Sequence, residues 1–431
     1  MLLKKLYVQV LIGIAVGILL GHFYPSVGAD MKPLTDGFIS LIRAVVPVII
    51  FGTVVVGIGK MGDMRRVGIV GVRALVYFEV VSTIALFIGL AVGNVLQPGA
   101  GMHIDPASLD PKAVSGYVAG AKSLTIVDFL MKMVPTNLVG DLAKGEIMPV
   151  LIMAVLFGFA LCRMGERGQR VVTMIDDFTH AIFGVVRIIM YLAPIAAFAA
   201  MAFTVGQFGF GSLASLGKLL ASVYITLILF VVIGFGLIAR IFDLRVWKII
   251  RYFKDELLIA FSATSGEAMI PRAIVKLENM GCSQEVVGLV LPTGFSFNMD
   301  GTAIYMSMAV LFIAQATDIH LSLGQQLTIL FVMLFTSKGA AGVTGGGFVA
   351  LAATMPVLTV LPIGGLTLLL GVERFMAEIR AVTNLFSNIF ATVVVAQWMG
   401  ELDETRADLV LNGGVMADRP EDAVFAREAR S

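Results

Sequence analysis

FSATSGEAMIP, residues 261–271, interrupts an apolar stretch of about one membrane span with hydroxyl residues, a glycine, a glutamate and a proline. TSKGAAGVTGGGF, residues 336–348, does the same, with five glycines in the nine residues from Gly339. Unpaired backbone is costly in hydrocarbon, so open loops at membrane depth persist only where protein or water covers them. The economical solution is two helical hairpins that enter the membrane, turn at a polar tip and leave on the same side. Paired interruptions in corresponding places point to a transporter's binding site. The competing reading, glycines that merely let helices pack closely, has no use for the Ser, Thr, Lys and Glu beside them.

The rest of the chain fits that reading. Of its 431 residues 58% are hydrophobic and only 14% charged, with a mean hydropathy of +0.94. A water-soluble domain needs far less apolar surface, so the excess faces lipid. This is an all-α polytopic membrane protein. The net charge of +1 gives no sign of a nucleic-acid partner. Two cysteines, Cys162 and Cys282, imply no disulfide framework. Apolar runs place spans near 7–23, 42–60, 74–97, 146–163, 180–204 and 214–239. The first resembles a signal peptide but has no small-x-small cleavage site, and we read it as a retained helix. The hairpins are expected over 257–275 and 326–362, each followed by a full span, near 286–314 and 364–398. The linker 98–125 reads as a loop. Beyond Trp398 the composition turns charged, and 399–431 reads as a solvated, mobile tail.

Basic residues orient the chain. Lys4 and Lys5 precede the first span, and Lys60, Arg65, Arg66 and Arg73 fill the loop after the second. Arg163, Arg167 and Arg170 follow the fourth; Arg240, Arg245, Lys248, Arg251 and Lys254 follow the sixth. The positive-inside rule puts both termini in the cytoplasm. The domains follow: a six-helix half over 1–249, a core of hairpin, span, hairpin, span over 250–398, and the tail.

Polar residues inside spans mark the chemistry. In PTGFSFNMDGTAIYM (292–306), Asp300 sits at membrane depth, where a carboxylate costs about 2.5–3.5 kcal/mol and needs a cation or donors. Gly294, Gly301 and the Asn-Met-Asp interruption suggest an unwound helix whose carbonyls join Asn298 and Asp300 around a hard, sodium-like ion. An Asp that simply caps a helix break is the alternative. In FMAEIRAVTN (375–384), positions 377, 380, 384 and 388 share a helix face, which reads Ala377, Arg380, Asn384, Asn388. Arg380 offers a fork of donors suited to a carboxylate. Glu378 points to another side, so Arg380 has no counter-ion on its own face, and the missing anion is read as the substrate. The competing reading is a salt bridge to another helix, with Asp300 the candidate.

These residues carry a resemblance. NMDGT at 298–302, the Ser/Thr-rich first hairpin, the glycine-rich second and the Arg380–Asn384 helix are similar to the dicarboxylate/amino acid:cation symporter family, which includes the glutamate transporters. The likeness extends to about residue 400. It implies eight transmembrane helices plus two re-entrant helical hairpins, a homotrimer, and an elevator-type transporter fold in which the third and sixth spans join the moving domain. It implies substrate binding by Arg380, Asn384, Thr302, Thr383, by Thr264, Ser265 and Gly266, and by Val343 and Gly345. It implies cation sites at Gly294, Asn298, Asp300, Asn384, Asn388 and Ser337, with Tyr77 and Ser82 of the third span.

Two departures sharpen the expectation. Amino-acid carriers of the family hold the substrate ammonium with an aspartate three residues before the arginine; here stands Ala377. An unpaired ammonium is costly to bury, so a diacid without an amine fits better. The bacterial four-carbon dicarboxylate carriers resemble this sequence most closely, which implies succinate, fumarate and malate as substrates. Where sodium-coupled members place an aspartate four residues after Asn384, this chain has Asn388. That weakens a sodium site or shifts coupling to protons, with Asp300 or Glu267 as carriers.

Other chemistry finds no support. His22, His103, His180 and His320 are scattered without metal spacing, and the 23 methionines and 29 phenylalanines are lipid-facing or core material. No P-loop or nucleophile motif occurs, so neither ATP nor an intramembrane enzyme is indicated, and no cofactor beyond co-transported H+ or Na+ is expected. An acidic amino-acid symporter and an arginine-lined anion channel stay as alternatives.

Overall fold

The computed structural model describes residues 6–61, 64–105, 131, 134–144, 146–208, 216–337, 346–355, 361–369 and 372–414. Among them there is no strand, only an isolated bridge between Cys282 and Leu402. The first half runs α1 (Leu6–Phe23), α2 (Lys32–Met61), α3 (Met64–Leu96), α4 (Ile147–Arg163), α5 (Glu166–Met190) and α6 (Ala193–Phe208). It ends on α7 (Gly217–Leu229) and α8 (Gly236–Ile241), joined by a π-helical turn over Phe230–Phe235.

The second half opens with α9 (Lys254–Ala263) and α10 (Ile270–Asn279), which flank the tip Thr264–Gly266. Each has 10 residues, about 15 Å of helix, half of what a crossing needs. Next come α11 (Gln284–Phe297) and α12 (Asp300–Ala316), one apolar rod broken at Asn298–Met299. The second hairpin is α13 (Leu323–Thr336) and α14 (Gly346–Thr354). Its tip, with Val343 and Gly345, lies outside the described residues. α15 (Glu373–Met399) closes the core and α16 (Glu404–Leu411) follows.

Among the described residues, four helices are long and apolar enough to cross a membrane: Arg65–Leu96, Gly217–Ile241, Gln284–Ala316 and Glu373–Met399. Shorter apolar helices accompany them, among them Val8–Phe23 and Met148–Arg163.

Small residues set the packing. Along α1, a Cβ on Gly13, Gly17 or Gly21 would stand 2.5, 2.3 and 2.5 Å from the carbonyls of Pro194, Phe198 and Ala202 in α6. The two backbones are therefore in contact, the arrangement that glycine every fourth residue permits. α3 meets α12 the same way: Gly89 faces Ser307 and Gly93 faces Leu311. The π turn joins the core through Phe235, whose ring lies 5.5 Å from Phe386 and 5.0 Å from Phe390 of α15.

One buried ion cluster ties the arms of the first hairpin. Glu256, fully buried in α9, accepts from Arg272 Nε and Lys276 Nζ of α10, both at 2.8 Å. Lys276 also lies over the ring of Tyr252, 4.4 Å from its centroid.

Three sequence expectations change. The span at 180–204 is two helices, parted at Tyr191–Leu192. Pro194 has no N–H for the carbonyl of Met190, so one helix stops and the proline sits in the first turn of the next. The last span starts at Glu373; Ile363–Leu369 is a 3-10 segment instead. The tail does not begin as mobile chain. Asp403 caps α16 by accepting from the Arg406 N–H, and Arg406 Nε donates to Asn279 O at 2.7 Å. Glu401 pairs with Arg66 at 2.6 Å, which fastens this segment to α3.

Candidate functional site

The break in the α11–α12 rod faces the middle of α15. The first amides of α12 have no intrahelical partners. Asn384 Oδ1 supplies one, accepting from the N–H of Gly301 at 2.8 Å and of Thr302 at 3.3 Å, while its Nδ2 donates to Thr302 Oγ1 at 3.0 Å. Gly301 is required here, since a Cβ would stand 2.9 Å from Arg380 O and 3.0 Å from Thr383 Cβ. The dipole of such a helix start favours an anion beside it.

Arg380 is 6% exposed. Its guanidinium lies over the Tyr305 ring, Cζ 4.7 Å from the centroid. The start of α14 covers its other side: a Cβ on Gly347 would stand 2.6 Å from Nη1. Ala377, one turn before Arg380, and Thr383 are buried on α15. The Thr383 hydroxyl donates to Ile379 O at 3.0 Å.

The tip of the first hairpin packs on the same helix. Gly266 lies against Ala381 and Leu385 of α15, and the Ser265 N–H donates to Ala260 O at 3.1 Å. Thr264 takes a left-handed conformation (φ 55, ψ 35), rare for a β-branched residue and a form of strain held by its surroundings. Its buried hydroxyl has no partner among the described residues.

One turn further along α15 lies a second polar group. Asp300 Oδ1 accepts from Ser82 Oγ of α3 at 2.7 Å, and Oδ2 accepts from Ser387 Oγ. Asn298 Nδ2 donates to Ser387 Oγ at 2.8 Å and to Asn388 Oδ1 at 3.0 Å. Asn388 fits only because Gly294 has no side chain; a Cβ there would stand 2.3 Å from Oδ1. Three buried polar atoms, Tyr77 Oη, Asn298 Oδ1 and Asn388 Nδ2, lack partners among the described residues. Two of them are oxygens beside a buried carboxylate, a donor set suited to a hard monovalent cation. Ser337 is buried just past α13 and makes no hydrogen bond to this group among the described residues.

One expectation is overturned. Arg380 does have a counter-ion on its own helix: Nη1 donates to Glu373 Oε1 at 3.1 Å. Glu373 stands seven residues earlier, two turns back on the same side. Reading the stripe from Ala377 onward missed it, although counting back one further turn would have found it. Asp300 is not the partner of Arg380, and Glu378 pairs with Arg374 at 3.7 Å. Tyr305 and Ser387 were also missed, because a tyrosine or serine in an apolar run carries no signal until its neighbours are known.

The sequence model described as "Sodium:dicarboxylate symporter family" matches residues 6–398. The chain belongs to this family. As a member of the sodium:dicarboxylate symporter family it is a transporter and not an enzyme. It is 55% identical over 405 residues to the C4-dicarboxylate transport protein of Erwinia tasmaniensis, covering 94% of this chain and 96% of that one. It is 56% identical over 403 residues to C4-dicarboxylate transport protein 2 of Polaromonas naphthalenivorans, covering 94% and 90%. In this member of the family, the polar groups around Asn384 and around Asn388 share two helices, α12 and α15, and lie one turn apart on α15.

Proposed function

We propose that the protein is a secondary symporter that imports C4-dicarboxylates, with succinate, fumarate and malate as substrates, together with protons or sodium. The observation that carries the reading is the buried Arg380 guanidinium over Tyr305 of α12, one turn of α15 before Asn384 at the start of α12, with alanine at 377. One substrate carboxylate meets Arg380; Asn384, Thr302 and Thr383 flank it, and the hairpin tips at Thr264–Gly266 and at Val343 and Gly345 close over it. The names of the two relatives agree. The cation occupies the pocket of Tyr77, Ser82, Gly294, Asn298, Asp300, Asn384 and Asn388, with Ser337 added by the family resemblance alone. Residues 250–398, joined by α3 and the α7–α8 helix, move against the remaining first-half helices in an elevator-type cycle. The functional unit is a homotrimer of eight-span subunits with two re-entrant hairpins, in a bacterial inner membrane with both termini cytoplasmic.

The test is uptake of labelled succinate into proteoliposomes under separately imposed sodium, proton and voltage gradients. Accumulation above equilibrium that an ionophore collapses supports symport; downhill flux alone would make the protein a channel. Aspartate is expected to compete poorly with succinate. In Ala377→Asp, a new carboxylate one turn from Arg380 repels a second substrate carboxylate and attracts an ammonium. Succinate uptake should fall at least about tenfold, the equivalent of about 1.4 kcal/mol, with aspartate gaining relative to it. Unchanged competition between the two would remove residue 377 from the site.

A further inference from the structure

Glu373 is the unexpected member of the site. It holds Arg380 through Oε1 at 3.1 Å, while its Oε2 is buried. The Tyr305 hydroxyl is buried facing this carboxylate, and its ring lies beneath the same guanidinium. On its own helix Glu373 faces Arg380, and from α12 it faces Tyr305. Among the described residues of the remaining packed elements, Gly346–Thr354 and Ile363–Leu369 contain no titratable side chain, and Tyr224 of α7 donates to Phe375 O. Arg374 and Glu378 pair with each other.

A dicarboxylate that docks on Arg380 brings a second carboxylate to a cation already neutralised by the first. Two carboxylates that share one buried site do not both stay ionised; one is released or takes a proton. We propose that Glu373 is a resident stand-in for the substrate carboxylate, and that a proton from the aqueous phase, added to Glu373, hands Arg380 over to the substrate. The step balances simply. The Glu373 carboxylate gains H+ and becomes neutral, its ion pair with Arg380 opens, and Arg380 pairs with the incoming carboxylate. No covalent bond to the substrate forms. The Tyr305 hydroxyl donates to the ionised Glu373 carboxylate and so helps hold the resting pair until the proton arrives. Each loaded substrate thus carries one proton, and the emptied site reseals on its own carboxylate. This deepens the reading of Arg380 as the dicarboxylate anchor and rests on it.

The experiment is calorimetric binding of succinate to the full-length purified protein, in paired buffers of different ionisation enthalpy, at alkaline pH where succinate is fully ionised. Wild type is expected to take up close to one proton per succinate bound, and its affinity to fall about tenfold per pH unit. Glu373→Gln, which mimics the protonated residue, should bind without proton uptake and without that pH dependence. Tyr305→Phe, which keeps the ring, should shift the pH midpoint of binding to higher pH because the ionised Glu373 carboxylate loses a donor and takes its proton more readily. It also serves if the glutamine variant does not fold. Proton uptake that persists in Glu373→Gln, or a Tyr305→Phe midpoint that does not move, overturns the proposal. Succinate binding without proton uptake in wild type overturns it too, but leaves the substrate reading intact; failure of wild type to bind succinate defeats the substrate reading itself.

Discussion

Arg380→Ala is expected to abolish succinate uptake in proteoliposomes while the protein still inserts and purifies as wild type does. The guanidinium is buried over Tyr305 of α12, and it carries both the charge and the fork geometry that a carboxylate needs. Truncating one partner of a buried, hydrogen-bonded charge pair costs roughly 2–5 kcal/mol. That is about thirty-fold to several thousand-fold in substrate affinity. Folding is less exposed, because the partner left behind, Glu373, sits in the first turn of α15 and can become neutral by taking a proton. Arg380→Lys keeps the charge but loses the planar stack on Tyr305, and should retain only weak transport. Succinate uptake at the wild-type rate in the alanine variant would show that substrate binds elsewhere.

The largest loss of stability is expected from Glu256→Ala. Glu256 is fully buried between Arg272 and Lys276. Removing it leaves two cations in the base of the first hairpin without compensation, which costs about 3–5 kcal/mol. Thermal unfolding in detergent should show a clear fall in Tm and a parallel loss of transport. Replacing Glu256, Arg272 and Lys276 together with apolar residues of similar size should recover most of the stability, since no charge is then stranded. A single alanine variant with an unchanged Tm would mean that the cluster does not hold the hairpin arms together. The described residues of the second hairpin have no such tie: Leu323–Thr336 and Gly346–Thr354 carry no charged side chain.

How far the chain could be read depended on the kind of feature. The interruptions at 261–271 and the Asn298–Asp300 break were legible because backbone pairing is a local requirement and hydrophobicity sums along a short window. The fifth span was misread because α5 is amphipathic and α6 apolar, so a hydropathy window centred on their junction merges them. Only an account of what Pro194 cannot donate separates them. The charged stretch after Trp398 looked solvated from composition alone. Its first part is held by Arg66, Asn279 and Ser283, residues more than a hundred positions away.

The sequence by itself determined a membrane protein of helices, the positions where those helices break, and the polar residues stranded at the breaks. These follow from the cost of bare backbone and bare charge in hydrocarbon, which acts on each segment alone. Tertiary structure decided who meets whom: Glu373 at Arg380, Ser82 and Ser387 at Asp300, Glu256 between two cations. Such pairings depend on where each helix begins, how close glycine lets its neighbour come, and which face the packing turns inward, and no single stretch of chain encodes that.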